Sequence, residues 1–264
     1  SFQYRQPATI AEAEVLLRET EGAKLLAGGM SLIPVMRHRL TSVPLLLDLN
    51  RIAALAGIEV SGGLVKIGAM TRHADVAASS EVQKALPALG VLAGGIGDPL
   101  VRNRGTIAGS LANNDPAACY PCALLGLEST VVTQRRRIRG DDFITGMFQT
   151  ALASDEIVTS VEFKLPQRAA YVKFANYASR FSIVGVFVSR SVAGVRVAVT
   201  GAASHAFRVH ELEKPLEREF SAAAIAGVTL DPRGLLTDIH ASAAYRAHLI
   251  GVLAQKALSQ CAVP

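Results

Sequence analysis

Two glycine-rich stretches carry the residues of this sequence best placed to do chemistry. Lys24-Leu25-Leu26-Ala27 reads as a buried strand that runs into Gly28-Gly29-Met30-Ser31, with a helix starting at Leu32. A strand, a tight turn and a helix start aim several backbone N–H groups at one point, which is how proteins hold phosphate. Paired glycines admit positive φ and close approach of a ligand. Many strand-to-helix turns also contain Gly-Gly, so a plain turn is the alternative for this loop taken alone. The second stretch runs from Gly105 through Thr106, Ile107, Ala108, Gly109, Ser110 and Asp115 to Pro116, and is rich in small residues, backbone donors and hydroxyls. Two such loops in one chain point to a ligand with two phosphates or an extended polar chain, as in a dinucleotide.

The common nucleotide and hydrolase signatures fail. Gly95-Ile96-Gly97 begins a Rossmann fingerprint, but Leu100 stands where its last glycine belongs and Pro99 intrudes. There is no Gly-Lys-Ser/Thr and no His-Glu-x-x-His, and Gly29-Met30-Ser31-Leu32-Ile33 lacks the closing glycine of a nucleophile elbow. Cys119-Tyr120-Pro121-Cys122 has the spacing of a redox pair. Buried small hydrophobes are the bland reading of the same residues, and shared metal ligation a third. The six histidines (His38, His73, His205, His210, His240 and His248) show no ligand spacing. Asp141-Asp142 reads as a turn or helix cap rather than an acid–base pair.

The elements that must position these loops follow from periodicity. Thr9 to Glu12 is a capping box, and Ile10, Ala13, Leu16 and Leu17 recur at helical spacing through Thr20. A helix is expected over Leu32 to Arg39, with Pro34 in its first turn, and a strand over Leu45 to Leu49. Strands are expected at Leu64 to Gly68, around Val131 and at Val158 to Leu165, with helices at Thr71 to Ala78 and near Pro116 to Leu127. Pro166-Gln167-Arg168 is the best boundary. Beyond it, Ile183 to Val188 and Val195 to Val199 flank a Ser191-Val192-Ala193-Gly194 turn and read as an antiparallel hairpin. Ala-rich helical segments near Ser221 to Ala226 and Ala241 to Leu258 close the chain. The expected organisation is residues 1–55, 56–166 and 167–264.

Composition narrows the class. At ~150 residues per domain, 264 residues make two compact domains, or one with an appendage. Fifty per cent hydrophobic content and a mean hydropathy of +0.31 exclude disorder, a disulfide-stapled miniprotein and a collagen-like fibre. No apolar stretch reaches the ~18 consecutive positions of a spanning helix; the richest, Phe181 to Ala203, carries Arg190 and Arg196. Aromatics make up 5% and tryptophan is absent, a poor basis for stacking single-stranded nucleic acid. The 27 Lys and Arg against 22 Asp and Glu are mostly arginine, which suits a small anionic ligand or an acidic partner. The run Arg135-Arg136-Arg137-Ile138-Arg139 reads as a solvated strand or turn, with nucleic-acid contact as the alternative. Three cysteines and no signal peptide lead us to expect a reducing, cytoplasmic setting.

With these residues in view, the sequence resembles, essentially end to end, the FAD-binding medium subunits of molybdenum hydroxylases, which include carbon monoxide dehydrogenase medium subunits and the flavin domain of xanthine dehydrogenases. Ala27-Gly28-Gly29-Met30-Ser31-Leu32 resembles the family's Ala-Gly-Gly-x-Ser-Leu pyrophosphate loop. Ile96 to Ala112 resembles its long second loop, which ends in a Thr-Ile-Gly-Gly-Ser/Asp flavin contact. Asp238 to Arg246 resembles its C-terminal helix entry. The resemblance implies an α+β architecture, the p-cresol methylhydroxylase-type FAD fold, with two α/β subdomains and a C-terminal domain of antiparallel strands and helices. It implies that Leu26, Ala27, Gly28, Gly29, Met30, Ser31 and Leu32 line the pyrophosphate and adenosine side. Ile96, Thr106, Ile107, Ala108, Gly109 and Ser110 would lie along the flavin and ribityl chain, with Asp115 as a hydrogen-bond partner and Lys173 near the ring.

The activity so implied is electron relay through FAD to an external acceptor, with no catalytic acid–base residue and no metal site on this chain. The implied partners are a large molybdenum-cofactor subunit and a small iron–sulfur subunit, assembled as a dimer of heterotrimers, with neither nucleic acid nor a transmembrane segment involved. Three positions depart from the family pattern. Ala108 replaces a frequent glycine, Met30 stands where polar residues are common, and Cys119 stands where many members have Asp. They leave one rival open: a non-redox scaffold of the same fold that has lost FAD.

Overall fold

A computed structural model describes residues 2–261. The chain builds three main sheets in succession, with a separate two-stranded hairpin beside the second. The first is parallel, in the order β1-β3-β2, and comprises β1 (Gln3–Arg5), α1 (Ile10–Glu19), β2 (Lys24–Leu26), α2 (Leu32–Arg37) and β3 (Leu45–Asp48). Thr9 caps α1 as its sequence demands, its side chain accepting from the Glu12 amide, and Glu12 reaches back to the Ala8 amide. Only the central strand β3 is buried throughout. The edge strand β2 is not the buried strand its apolar letters suggest: Lys24 is exposed and Leu25 and Leu26 are half-buried, because they line a cleft.

The second sheet is antiparallel, in the order β4-β5-β10-β6-β7. The segment that builds it runs through β4 (Ile58–Ser61), β5 (Leu64–Gly68), α3 (His73–Ala78), α4 (Ser80–Ala85), α5 (Pro87–Gly94), α6 (Pro99–Arg102), α7 (Ile107–Asn113), α8 (Tyr120–Gly126), β6 (Ser129–Thr133), β7 (Arg137–Arg139), α9 (Gly140–Phe143), the hairpin of β8 (Ile144–Gly146) and β9 (Gln149–Thr150), which pair only with each other, and β10 (Val158–Lys164). Alternating strands and helices along the chain say nothing about which strands become neighbours; here β10 returns late and inserts between β5 and β6. Strands β5 and β6 bury alternate residues, Val65 and Ile67, then Ser129, Val131 and Thr133, as a one-faced sheet requires. The first two sheets share one apolar core, from Ala13 and Leu17 on α1 through Leu47 to Ile67, Leu89, Leu92 and Phe163.

The third sheet is antiparallel, in the order β11-β12-β13-β14, comprising β11 (Arg168–Ala175), β12 (Ser182–Ser191), β13 (Gly194–Thr200) and β14 (Phe207–Arg208). The expected hairpin is present, and β11, unanticipated, adds to its edge. Both faces of β12 are covered: Val184, Val186 and Val188 share a core with α11 (Ala243–Gln260), while Phe187 belongs to the core that includes Tyr120 and Cys122 of α8. The helix α10 (His210–Arg218) was also unanticipated, since Pro215 lies inside it; Leu212 and Leu216 give it one buried stripe. The segment near Ser221 to Ala226 is a single 3-10 turn, Ala223–Ile225, rather than a helix.

Candidate functional site

A cleft of about 560 Å³ is walled by the loop after β2, the segment from Ile96 to Ser110, and the end of β11 with the loop that follows it. That size is ordinary for a small-molecule or cofactor site, ~300–1,000 Å³. The two glycine loops meet backbone to backbone. A Cβ on Gly28 would lie 2.1 Å from the Arg104 carbonyl oxygen and 2.8 Å from the Gly105 Cα, so no side chain fits there. Gly29 turns the chain at φ +75°, where glycine is favoured. A polar brace stitches the loops together. Asn50 Nδ2 donates to the Ala27 carbonyl (3.1 Å), and Arg72 donates to both Asn50 Oδ1 and the Arg104 carbonyl. Asp48 anchors Asn50 and accepts from Tyr4 and Gln6. Burial would raise the Asp48 carboxyl, but the hydrogen bonds from Tyr4, Asn50 and Gln6 outweigh it and hold the group below the usual range.

The two loops differ in what they offer a ligand. Among the described residues, the amide N–H groups of Gly28, Gly29, Met30 and Ser31 donate to no protein acceptor. In the second loop the donors are spent. Ile107 N donates to the Thr71 carbonyl, Ala108 N to the Ala69 carbonyl, Gly109 N to Thr106 Oγ1 and Ser110 N to the Thr106 carbonyl. The second loop is therefore not the bank of backbone donors its composition suggests; its contribution is a close-packed surface. Ile107 does not line the cleft: its side chain is fully buried in the core. The other expected residues, Leu26 through Leu32, Ile96, Thr106, Ala108, Gly109, Ser110, Asp115 and Lys173, are all brought to the cleft wall. Asp115 turns its own chain there, Oδ1 accepting from the Ala117 amide.

On the far wall, Lys173 Nζ donates to the Gly95 carbonyl (2.5 Å) and the Arg180 carbonyl (3.0 Å) and lies 3.5 Å from Cys119 Sγ. It ties the end of α5 to the loop between β11 and β12. All three cysteines are free and buried. Cys122 lies in the core, its Sγ 3.1 Å from the Ala198 carbonyl, and burial pushes its thiol up. Met30, Ala108 and Cys119 all line the wall, so none of the three departures closes the cleft. Among the wall residues that the sequence does not single out is His73, buried, its pKa lowered to about 4 by burial and then by the Arg72 and Arg102 cations. No spacing marks it, because the contacts that matter come from Gly105 and Tyr120. The basic run is neutralised: Arg135 pairs with Glu14 and Asp155, Arg136 with Glu156, and Arg137 with Glu162. Asp141 pairs with Arg196 at 2.6 Å.

Unused amides from one loop, a brace that fixes them, and a cleft of this size define a protein that binds an anionic dinucleotide-like cofactor. The chain belongs to the family described as the FAD binding domain in molybdopterin dehydrogenase, whose model matches residues 1–167. It is 36% identical to the nicotine 6-hydroxylase medium subunit of Paenarthrobacter nicotinovorans, over 98% of this chain and 96% of that protein. It is 34% identical to the carbon monoxide dehydrogenase medium chain of Hydrogenophaga pseudoflava, over 98% and 96%. Its fold matches a chain of the reconstituted CO dehydrogenase from Oligotropha carboxidovorans with a TM-score of 0.91 at 29% identity, over 99% and 97% of the two chains. The chain is thus an FAD-binding oxidoreductase subunit, with the α+β fold of the medium subunits it resembles.

Proposed function

We propose that this chain is the electron-transfer subunit of a molybdenum hydroxylase-type dehydrogenase, with FAD held in the cleft between its glycine loops. A small iron–sulfur subunit passes it electrons from a large molybdenum-cofactor subunit, the assembly is a dimer of heterotrimers, and an external acceptor takes the electrons away. The observation that carries this reading is the set of four unpaired amides at Gly28 to Ser31, beside a glycine with no room for a Cβ. Their chemistry fits a pyrophosphate. FAD, when bound, supplies the exchange between single electrons and electron pairs.

This chain's residues bind and orient. Leu26 through Leu32 hold the pyrophosphate and adenosine end. Ile96, Thr106, Ala108, Gly109 and Ser110 form the surface along the ribityl chain and ring, with Ile107 supporting them from the core. Asp115 and Lys173 stand at the wall as polar contacts. Free cysteines buried in the fold fit a reducing, cytoplasmic setting, and no described helix is long and apolar enough to cross a membrane. The purified protein should show a flavin visible spectrum, or acquire one on addition of FAD. A preparation with neither bound nor bindable flavin overturns the assignment.

A further inference from the structure

His73 stands on the first turn of α3, 4% exposed, at the wall of the cleft. Neither ring nitrogen makes a hydrogen bond to any described side chain or backbone group, and Nδ1 is sealed from solvent without a partner. A buried polar group left unpaired is destabilising, and native structures retain few of them. The ring is nonetheless held in place. It lies against Tyr120, centroids 5.3 Å apart, and its backbone N–H donates to the Gly105 carbonyl. On the other side, a Cβ at Gly105 would come within 2.5 Å of Nε2, so the second loop carries a glycine where the imidazole needs room. An aliphatic side chain would fill this space without stranding a ring nitrogen. A group outside the chain that completes the ring's hydrogen bonding accounts for the imidazole.

We infer that His73 is a ligand-binding residue whose Nε2–H donates to an acceptor oxygen or nitrogen of the cofactor in the cleft. The inference rests on the FAD reading above. Nδ1 is the sealed nitrogen, and an orphaned N–H is rarer than an under-satisfied acceptor, which assigns the proton to Nε2, the nitrogen beside the cleft-lining Gly105. The imidazole is then a neutral donor of fixed direction, kept neutral by burial and by the nearby Arg72 and Arg102 cations.

The test uses the full chain, stripped of flavin and titrated with FAD, with affinity read from flavin fluorescence and melting temperature read with and without FAD. His73→Leu removes the donor; it should weaken FAD binding about tenfold, the equivalent of ~1.4 kcal/mol. Its flavin-free melting temperature should stay level or rise, because an unpaired buried polar group has gone, so the stabilisation by FAD shrinks. His73→Gln places an amide donor near the Nε2 position and should bind within about threefold of wild type, whereas His73→Asn, whose donor sits nearer Nδ1, should not. That contrast stands even where the leucine variant fails to fold. Wild-type affinity in His73→Leu overturns the inference while leaving the FAD assignment intact; so does an equal loss in Gln and Asn variants with a fall in flavin-free stability, the mark of a purely structural ring. Failure of the wild-type chain itself to bind FAD overturns both.

Discussion

At the scale of single residues, the site is governed by where a methyl group can and cannot go. Gly28 faces the Arg104 carbonyl and the Gly105 Cα, both backbone, and neither can rotate away from a Cβ placed 2.1 Å and 2.8 Å from them. Gly28→Ala should therefore separate the two loops, abolish FAD retention and lower the melting temperature by several degrees, roughly 2–4 °C per kcal/mol for a chain of this size. Ala108 sits differently: its methyl lies on the cleft wall within α7, whose amides are already paired. Ala108→Gly should leave FAD affinity equal or improved, measured by the same titration. Loss of binding in Ala108→Gly with retention in Gly28→Ala would show the loops to be doing something else. Gly28 and its neighbours were legible because glycine, a short strand and a helix start are local signals. Ile107 was misplaced for the converse reason: it sits inside the motif, but its side chain points to the core, a fact set by the distant Thr71 and Ala69 carbonyls that hold its turn.

At the scale of elements, the arginine run shows how charge in a sequence becomes structure. The segment from Thr133 to Arg139 is a turn and edge strand whose cations find carboxylates from α1, β10 and the loop before β10. Glu156 is the keystone of the turn. Its carboxylate accepts from Arg136 Nε and Nη2, from Thr133 Oγ1 and from the Ala153 amide, all at 2.8–3.0 Å. The Arg136 guanidinium, first among these partners, brings its pKa from 4.5 down to about 2, against the opposing effect of burial. A carboxyl whose folded pKa lies below its unfolded one contributes stability that is complete above the unfolded value. For Glu156 that contribution is in place above pH 4.5 and drains away as pH falls towards 2. Because the Arg136 side chain is half exposed, solvent screening holds the contribution to about 1 kcal/mol or less. Glu156→Gln should lower the melting temperature at neutral pH and flatten its decline between pH 4.5 and 2; a variant whose acid limb matches wild type contradicts this account. The sequence shows the arginines but not their partners, which lie 20 or more residues away in the chain for Arg135 to Arg137. Likewise α10 escaped notice because Pro215 masks a helix whose evidence is the spacing of Leu212 and Leu216 and the acidic first turn at Glu211 and Glu213.

At the scale of the whole molecule, the family match ends at residue 167, but the physics does not divide there. Pro166-Gln167-Arg168 reads as a boundary because it is a local turn in composition; what crosses it is long-range and invisible to a local reading. Tyr171, Phe187, Ala198 and Ala206 complete the core of the first two sheets. Phe187 sits so closely on α8 that a Cβ at Gly126 would come within 2.7 Å of its ring. Hydrogen bonds follow the same seam: Thr200 Oγ1 donates to the Pro116 and Ala118 carbonyls, Ser189 Oγ to the Gly126 carbonyl, and Arg196 to the Leu125 carbonyl and Asp141. Lys173 and the loop after β11 form part of the cleft wall itself. A fragment ending at residue 167 would thus expose the apolar face of α8, orphan these carbonyls and leave the cofactor cleft without one wall. We expect residues 1–167 alone to lack a cooperative thermal transition and to bind FAD at least about a hundredfold more weakly than the full chain, the equivalent of ~2.8 kcal/mol. Calorimetry and FAD titration of the two proteins side by side decide the matter. A fragment that melts cooperatively and binds FAD like the full chain would mean that the third sheet is a passenger, and that the glycine loops and their brace alone make the site.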